Sequence, residues 1–495
     1  MRLPTEKMKN NSERQDEHIV VNKKLNFWEA MIPVIILMIL LAVNINQYGG
    51  EMMGQYSNHF ILLIGAFIAA LVGFYNRTSP GTMLQEIWEN LRSVFVPISI
   101  LFLVGALAGT WLISGVIPAM IYYGLQILNP DIFLPASVVI AAIISLATGS
   151  SWTTSATVGI ALIGIGEALG IPSGMIAGAV ISGAYFGDKM SPLSDTTNLA
   201  PAMAGTDLFT HIRYMTITTV PTIIITLIIF GFLSLTLEPS GNTNVGEMLG
   251  VIDQTFHISP VLFLVPATVI AMILLIPNRL KSIKPLLALS AGVIMAAIFS
   301  VVFQSDVLAK LPGSNIETIF NSILFDTKIE TGNAQINDLF SAKGMKGMLW
   351  TIYLITAAMI FGGVMDGIGA LARITKSLLS MASTVFGLFA STVLSCLGLN
   401  LIASDQYLAI VIPGKMFKKA FEDKGLAPEN LSRTLEDAGT VTSVLIPWNT
   451  CGAYQAGVLG VGVGEYFMYA FFNWLSPIMT LVVAAFGIKI KELVK

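Results

Sequence analysis

The sequence predicts an all-α polytopic membrane protein built as two inverted-topology repeats, each of about five transmembrane helices plus one re-entrant hairpin, with broken helices at the midplane. Three observations carry that prediction. Of the 495 residues, 54% are hydrophobic and 12% charged, with a mean hydropathy of +0.76, whereas soluble domains average about 25% charged. Apolar runs of about 20 residues, the length that spans a bilayer, recur along the chain. Polar interruptions rich in Gly, Ser, Thr and Asp fall at corresponding places in the two halves, and such backbone is tolerated at membrane depth only where it lines a cavity or site.

Residues 1–27 are polar and mixed in charge and lack the basic start, apolar run and cleavage site of a signal peptide, so they read as a cytoplasmic tail. Spans follow near 28–47, 58–75, 95–115 and 211–236 in a first repeat (28–236). A second repeat (259–488) holds spans near 259–277, 284–303, 347–366 and 466–488. An external linker (237–258) joins the two repeats, and 489–495 form a cytoplasmic tail. The runs 173–203 and 434–463 are too long and too interrupted for simple helices and read as broken ones.

Lys and Arg set the orientation. The N-terminal tail, the link from Arg279 to Lys284, the loop with Lys415, Lys418, Lys419, Lys424 and Arg433, and the tail with Lys489, Lys491 and Lys495 belong to the cytoplasm. Loops 48–57, 237–258 and 450–465 carry no Lys or Arg and fit the outside; loop 304–346 mixes both signs. Parity then makes 379–414 a hairpin from the cytoplasmic side with its tip at Asn400 to Gln406, and 131–170 a hairpin from the outside with its tip at Gly149 to Thr154. The halves align at an offset of about 252 to 256 residues, matching Ser114–Met120 with Asp366–Ala372, Gly149–Ser151 with Ala403–Asp405, Pro192 with Pro447, Pro221 with Pro477 and Phe230–Gly231 with Phe486–Gly487. Collinear matches with opposite parity are the signature of an inverted repeat.

Composition also excludes functions. The net charge of −3 is spread over loops, with no basic stripe for nucleic acid. The two cysteines and four histidines lack metal-ligand spacing, so no structural metal site and no disulfide framework are expected. There is no nucleophile elbow, phosphate loop or zinc-hydrolase signature, and neither an enzyme nor an ATP-driven pump has a motif to stand on.

The chemistry is expected at the interruptions. Hairpin tips and helix breaks offer hydroxyls and freed carbonyls as hard oxygen ligands for Na+, and helix N-termini for anions. Gly149, Ser150, Ser151, Thr153 and Thr154 facing Ser194, Thr196, Thr197 and Asn198 make one candidate site; Asn400 and Ser404 facing Asn449 and Thr450 make its mate. Acids inside a membrane mark functional sites by default, which singles out Asp188, Asp195 and Asp405 as proton or cation carboxylates, with Lys189 as their charge partner or an attractor of organic anions. Structural alternatives stand beside these: a salt bridge to Lys189 or a helix cap for Asp188, an N-cap for Asp195, an exposed loop position for Asp405. Glu436 and Asp437 lie near the start of a broken helix, where helix-dipole stabilisation explains them as well as transport does. Asp366 is read as structural, and Trp152 and Trp448 as packing.

The runs Ala147–Ala156, Gly183–Pro201, Ala204–Arg213, Glu436–Thr440 and Pro447–Thr450 resemble the NhaC family of Na+/H+ antiporters, within the broader ion transporter superfamily, over nearly the whole chain from about residue 28. The resemblance implies a bacterial inner-membrane antiporter moving Na+ and H+ with no cofactor, two re-entrant hairpins and elevator-like motion. Family members are also assigned to exchange of malate and protons for Na+ and lactate, so a small organic anion is the alternative substrate. Dicarboxylate carriers of the superfamily carry Ser-Asn-Thr at each hairpin tip; this chain has Ser150-Ser151-Trp152 and Ser404-Asp405-Gln406, which argues against dicarboxylate binding in that manner. Lipid, and a second copy of the chain in a homodimer, complete the expected partners.

Overall fold

Proline, glycine and small capping side chains set where the helices begin and end. The computed structural model describes residues 19–48, 52–237, 245–275, 284–331, 337, 339–380 and 382–493. Most of the N-terminal tail, the middle of the external linker and Arg279 to Lys281 lie outside the described residues.

Helices Phe27–Tyr48 and Ser57–Tyr75 are followed by Pro80–Ser93, which starts at Pro80 under a Ser79 cap whose Oγ accepts from Thr82 N at 3.1 Å. A bend at Val94 leads into Phe95–Ile113. Gly115, in the left-handed region at φ 79, then admits Val116–Ile127. Asn129 caps Pro130–Thr148, and Asp207 caps Leu208–Thr236. Among the described residues, eight helices are long and apolar enough to cross a membrane, and a ninth span exists if the pair Val463–Tyr469 and Phe471–Ala485, bent by 51°, counts as one. The protein is a polytopic α-helical membrane protein.

Leu208–Thr236 shows how such a helix sorts its faces. Ile224, Ile228, Phe232 and Leu235 are half or more exposed, as a lipid-facing stripe must be, while Thr218, Thr222 and Thr226 are buried. Thr222 and Thr226 return their hydroxyls to the carbonyls four residues back, at 2.7 and 2.8 Å, which satisfies both within the helix.

Two helical hairpins and two interrupted helices form the centre. The first hairpin is Pro130–Thr148 and an inner arm running from Ser151 through a π-helical turn at Ser155–Gly159 to Ala168; the second is Val385–Ile402 and Gln406–Asp423. The first broken helix is Ser173–Met190 and Asp195–Ala204. The second runs from Pro428 through a π-helical turn at Glu436–Thr440 and a 3-10 turn at Ser443–Leu445, then resumes as Thr450–Leu459. Gly183 and Gly187 seat the first broken helix on the first hairpin, where an added Cβ would fall 2.1 Å from Val138 O and 2.4 Å from Ala142 O. Backbone contact this close between membrane helices needs small residues.

Several expectations change. The second hairpin extends to Asp423, so Lys415, Lys418 and Lys419 lie on its last turns rather than in a loop; the apolar run ends before the helix does. The second broken helix begins at Pro428 instead of about 434, its first turns disguised by the polar run from Glu429 to Thr434. Helices Pro80–Ser93, Val116–Ile127 and Ala370–Ser380 were not anticipated, being short or amphipathic. The span expected at 259–277 is the 15-residue Val261–Leu275. The 304–346 loop contains helices Ser305–Lys310 and Asn315–Leu324 and a short antiparallel strand pair, Thr327–Lys328 with Ser341–Ala342. Gly369, at φ 77, takes a left-handed turn as Gly115 does.

Candidate functional site

In the first hairpin, Gly149 takes the left-handed turn at φ 71, and Ser150 caps the inner arm, its Oγ accepting from Thr153 N at 3.2 Å. The free N–H groups at the end of that arm face Asp188, in the last turn before the first break. Asp188 Oδ2 accepts from Ser151 N at 3.0 Å and from Ser151 Oγ at 2.7 Å. A helix N-terminus carries about half a positive charge, so this arrangement accommodates a carboxylate without a basic side chain. Across the break, Ser194, not Asp195, is the N-cap, and Asp195 opens the next half-helix with its side chain exposed.

The remaining polar groups of this unit hold its shape. Thr154 donates to Ser150 O at 2.9 Å, and Thr197 donates to the carbonyls of Asp188 and Lys189 at 3.2 and 3.0 Å. Asn198 donates to Pro192 O at 3.0 Å and to Ser194 O at 2.6 Å.

In the second unit, Ser404 takes the left-handed turn at φ 60 and Asp405 caps Gln406–Asp423, accepting from Tyr407 N at 2.8 Å and Leu408 N at 3.1 Å. Asp405 is buried, not an exposed loop acid. Asn449 caps Thr450–Leu459 and donates to Asn400 O at 3.0 Å and Asn400 Oδ1 at 3.2 Å. Asn400 donates to Gly439 O at 2.7 Å, Thr450 N to Ser404 O at 2.9 Å, and Trp448 Nε1 to Leu401 O at 2.8 Å.

The sequence suggested two separate sites; the structure brings parts of both to one cavity of about 360 Å³. Its wall includes Gly149, Ser150, Thr153, Asp188, Ser194, Asp195 and Thr196 from the first unit and Asp405, Gln406, Tyr407 and Thr450 from the second. It extends to Ser93–Val94, Val96–Pro97 and Lys284–Pro285. Ser151, Thr154, Thr197, Asn198, Asn400, Ser404 and Asn449 stand behind the wall, as the turn and break frames just described. Trp152 also lines the cavity and stacks on Tyr454, ring centroids 4.0 Å apart.

Behind the cavity lies a layer of buried charge. Lys189 is bonded to Asp437, both side chains fully buried, and donates to Ser476 Oγ at 3.2 Å. Thr480 also donates to Asp437. Lys189 is therefore a cross-link between the two broken helices, which corrects its expected place beside Asp188 and Asp195. Glu436 is fully buried too, and its Oε1 accepts from Thr196 Oγ1 at 3.0 Å. Both acids sit inside the helix, in its π-helical turn, which corrects the reading of them as residues near a helix start. The signal available in the sequence was the consecutive pair of acids followed by Ala-Gly-Thr, just ahead of a run free of charge from Val441 to Thr450.

These features define an α-helical membrane protein whose carboxylates and hydroxyls converge where its helices are interrupted. Residues 183–488 match the model of the Na+/H+ antiporter family. The chain is 38% identical to the Na+/H+ antiporter NhaC of Alkalihalophilus pseudofirmus over 87% of this chain and 90% of that one. It is 34% identical to the arginine/ornithine antiporter ArcD of Halobacterium salinarum (96% and 95% covered) and 35% identical to the malate-2H+/Na+-lactate antiporter of Bacillus subtilis (84% and 86%). The chain belongs to the NhaC family of Na+/H+ antiporters.

Proposed function

We propose that this protein exchanges Na+ for H+ across the bacterial inner membrane. The observation that carries the reading is the Asp188 carboxylate, held by the tip of the first hairpin in the wall of a cavity that also receives Asp195 and Asp405. A dehydrated Na+ needs hard oxygens, which Asp188, Asp195, Asp405 and Ser150 supply. Acids at membrane depth are costly enough to be kept only for function, and family membership supports the same substrate.

The architecture behind this reading is a pair of inverted repeats with re-entrant hairpins and elevator-like motion. It is supported by the recurrence of hairpin, broken helix and a final apolar helix in the same order in both halves. It is also supported by the grouping of segments assigned to the cytoplasm: Asn22 donates to Asn76 O and Thr78 Oγ1, Tyr214 to Lys489 O, and Ala427 N to Lys491 O. Both termini are then cytoplasmic. Ser93 to Pro97 and Lys284 belong to the same side, so this conformation opens its cavity inward.

Exchange of an organic anion for cations is the second reading, and Lys284 in the cavity wall is the observation that favours it. Lys189, sealed against Asp437, gives it no help. Proteoliposomes with a preset pH gradient decide between them. Dissipation by Na+ alone is the expected result; a response only when malate, lactate or an amino acid is also present would replace the cation reading with the anion one.

A further inference from the structure

We infer that Glu436 is the proton-carrying group of this protein, separate from the Na+ position at Asp188; the inference rests on the Na+/H+ exchange reading. Glu436 and Asp437 are neighbours in one π-helical turn, a distortion that is frequent at functional sites, yet they are treated oppositely. Asp437 is matched by Lys189, Ser476 and Thr480. Glu436 has no basic partner of its own: the Thr196 hydroxyl donates to Oε1, the Thr440 hydroxyl lies near enough to act on the carboxylate, and Oε2 is fully enclosed with no hydrogen bond of good geometry. An ionised carboxylate buried without a partner is very expensive, so Glu436 needs a neutralising cation.

The surroundings choose which cation. Lys189, the basic side chain that acts on Glu436, is already committed to Asp437. A metal ion would need several oxygen ligands and room for them, and Oε2 has neither exposed surface nor space for a water molecule. A proton needs no room.

Glu436 also has a route to the cavity. Thr196 stands in the cavity wall, its Oγ1 on Glu436 and 3.2 Å from Ser194 Oγ, another wall residue. A proton given to Thr196 Oγ1 from cavity water lets the hydroxyl pass its own proton to Glu436 Oε1, and the reverse sequence empties the site; no bond to carbon changes. Thr196 serves here as the relay, not as a Na+ ligand.

Coupling follows from charge. The charged groups that act on Glu436 are Lys189 and Asp188 from the first broken helix; Asp437 is its chain neighbour, and Arg433, one turn earlier, is turned to the Tyr214 ring at 4.7 Å. With the Lys189–Asp437 pair neutral and Arg433 directed to the Tyr214 ring, Asp188 and Glu436 remain as two acids that resist being charged together. Na+ arriving at Asp188 neutralises one and permits the other to release its proton, which is exchange.

The test uses the full-length protein in proteoliposomes and reads two activities: Na+-driven proton movement, and exchange of radioactive Na+ against unlabelled Na+, which needs no net proton transfer. Glu436→Gln is expected to lower proton movement at least tenfold while Na+/Na+ exchange persists within threefold and loses its pH dependence; Glu436→Asp restores part of the proton flux. Asp188→Asn loses both. Proton movement in Glu436→Gln within twofold of the parent overturns the inference, as does equal loss of both activities in a monodisperse Glu436→Gln protein. If Glu436→Gln does not fold, Thr196→Val decides: proton movement slowed more than Na+/Na+ exchange, and restored by Thr196→Ser, supports the relay, and unchanged proton movement overturns it. A parent protein without Na+/Na+ exchange or Na+-driven proton flux refutes the Na+/H+ reading itself.

Discussion

The two hairpin-and-break units share a backbone plan and divide its uses. In the first, a glycine makes the hairpin turn, serine caps both half-helices, and one carboxylate, Asp188, joins the break to the hairpin tip. In the second, no acid lies between Thr442 and Thr450; break and tip are stitched by Asn400, Asn449, Trp448 and the Thr450–Ser404 backbone bond. A carboxylate contact changes strength with the charge beside it, whereas amide and backbone bonds do not. The junction of break and tip is thus responsive to charge in the first unit and a neutral brace in the second, whose acids Asp405 and Glu436 act from the cavity wall and the π-helical turn instead.

Breaking that comparison starts at Asp188. Asp188→Asn keeps an acceptor for Ser151 but removes the charge, and Na+-driven proton flux in proteoliposomes is expected to fall below about one hundredth of the parent, as befits a functional intramembrane acid. Thermal stability should change little. Flux near the parent level would show that the hairpin contact is a cap and nothing more.

The cross-link between the units comes next. Lys189→Met leaves Asp437 buried without its counter-charge, a loss of about 3–5 kcal/mol, whereas the double variant Lys189→Met with Asp437→Leu should recover most of it. Detergent melting curves of the two single variants and the double variant measure this. A double variant as unstable as the singles would mean that Ser476 and Thr480, not the charge pair, set the packing.

The sequence displayed the interruptions well because their polarity contrasts with the apolar flanks: Gly149 to Thr154, Asp188 to Asn198, Asn400 to Gln406 and Pro447 to Thr450 all fall at turns or breaks. Partners were harder to read. Lys189 beside Asp188 suggested a local pair, but the ammonium leaves the helix on the side of Asp437, a residue far along the chain. Glu436 and Asp437 resembled a helix start because the polar run 429–434 hid the two turns of helix before them. Nor does composition indicate that two units placed in separate halves share one cavity; that depends on packing across the whole chain.

The brace itself yields a smaller effect. Asn449→Ala removes the cap on Cys451 N at 3.0 Å and two bonds to Asn400, at a cost of about 1–3 kcal/mol. The melting temperature should fall while the Na+ concentration for half-maximal flux stays near the parent value. A marked shift in that concentration would add Asn449 to Asp405 as a residue of the second unit that acts on the ion.

The smallest effect is expected where the two turns differ by a single side chain. Ser404 holds φ 60 with a Cβ, and its buried Oγ has no hydrogen-bond partner; Gly149 holds φ 71 without one. Left-handed backbone costs an L-residue roughly 1–2 kcal/mol, and Gly returns about 0.5–1 kcal/mol of that as chain entropy. Ser404→Gly should therefore melt at or slightly above the parent temperature and transport normally. Loss of transport in a stable Ser404→Gly protein would mean that the strained serine hydroxyl is held in place for a ligand, and Ser404 would then join Asp405 in the site.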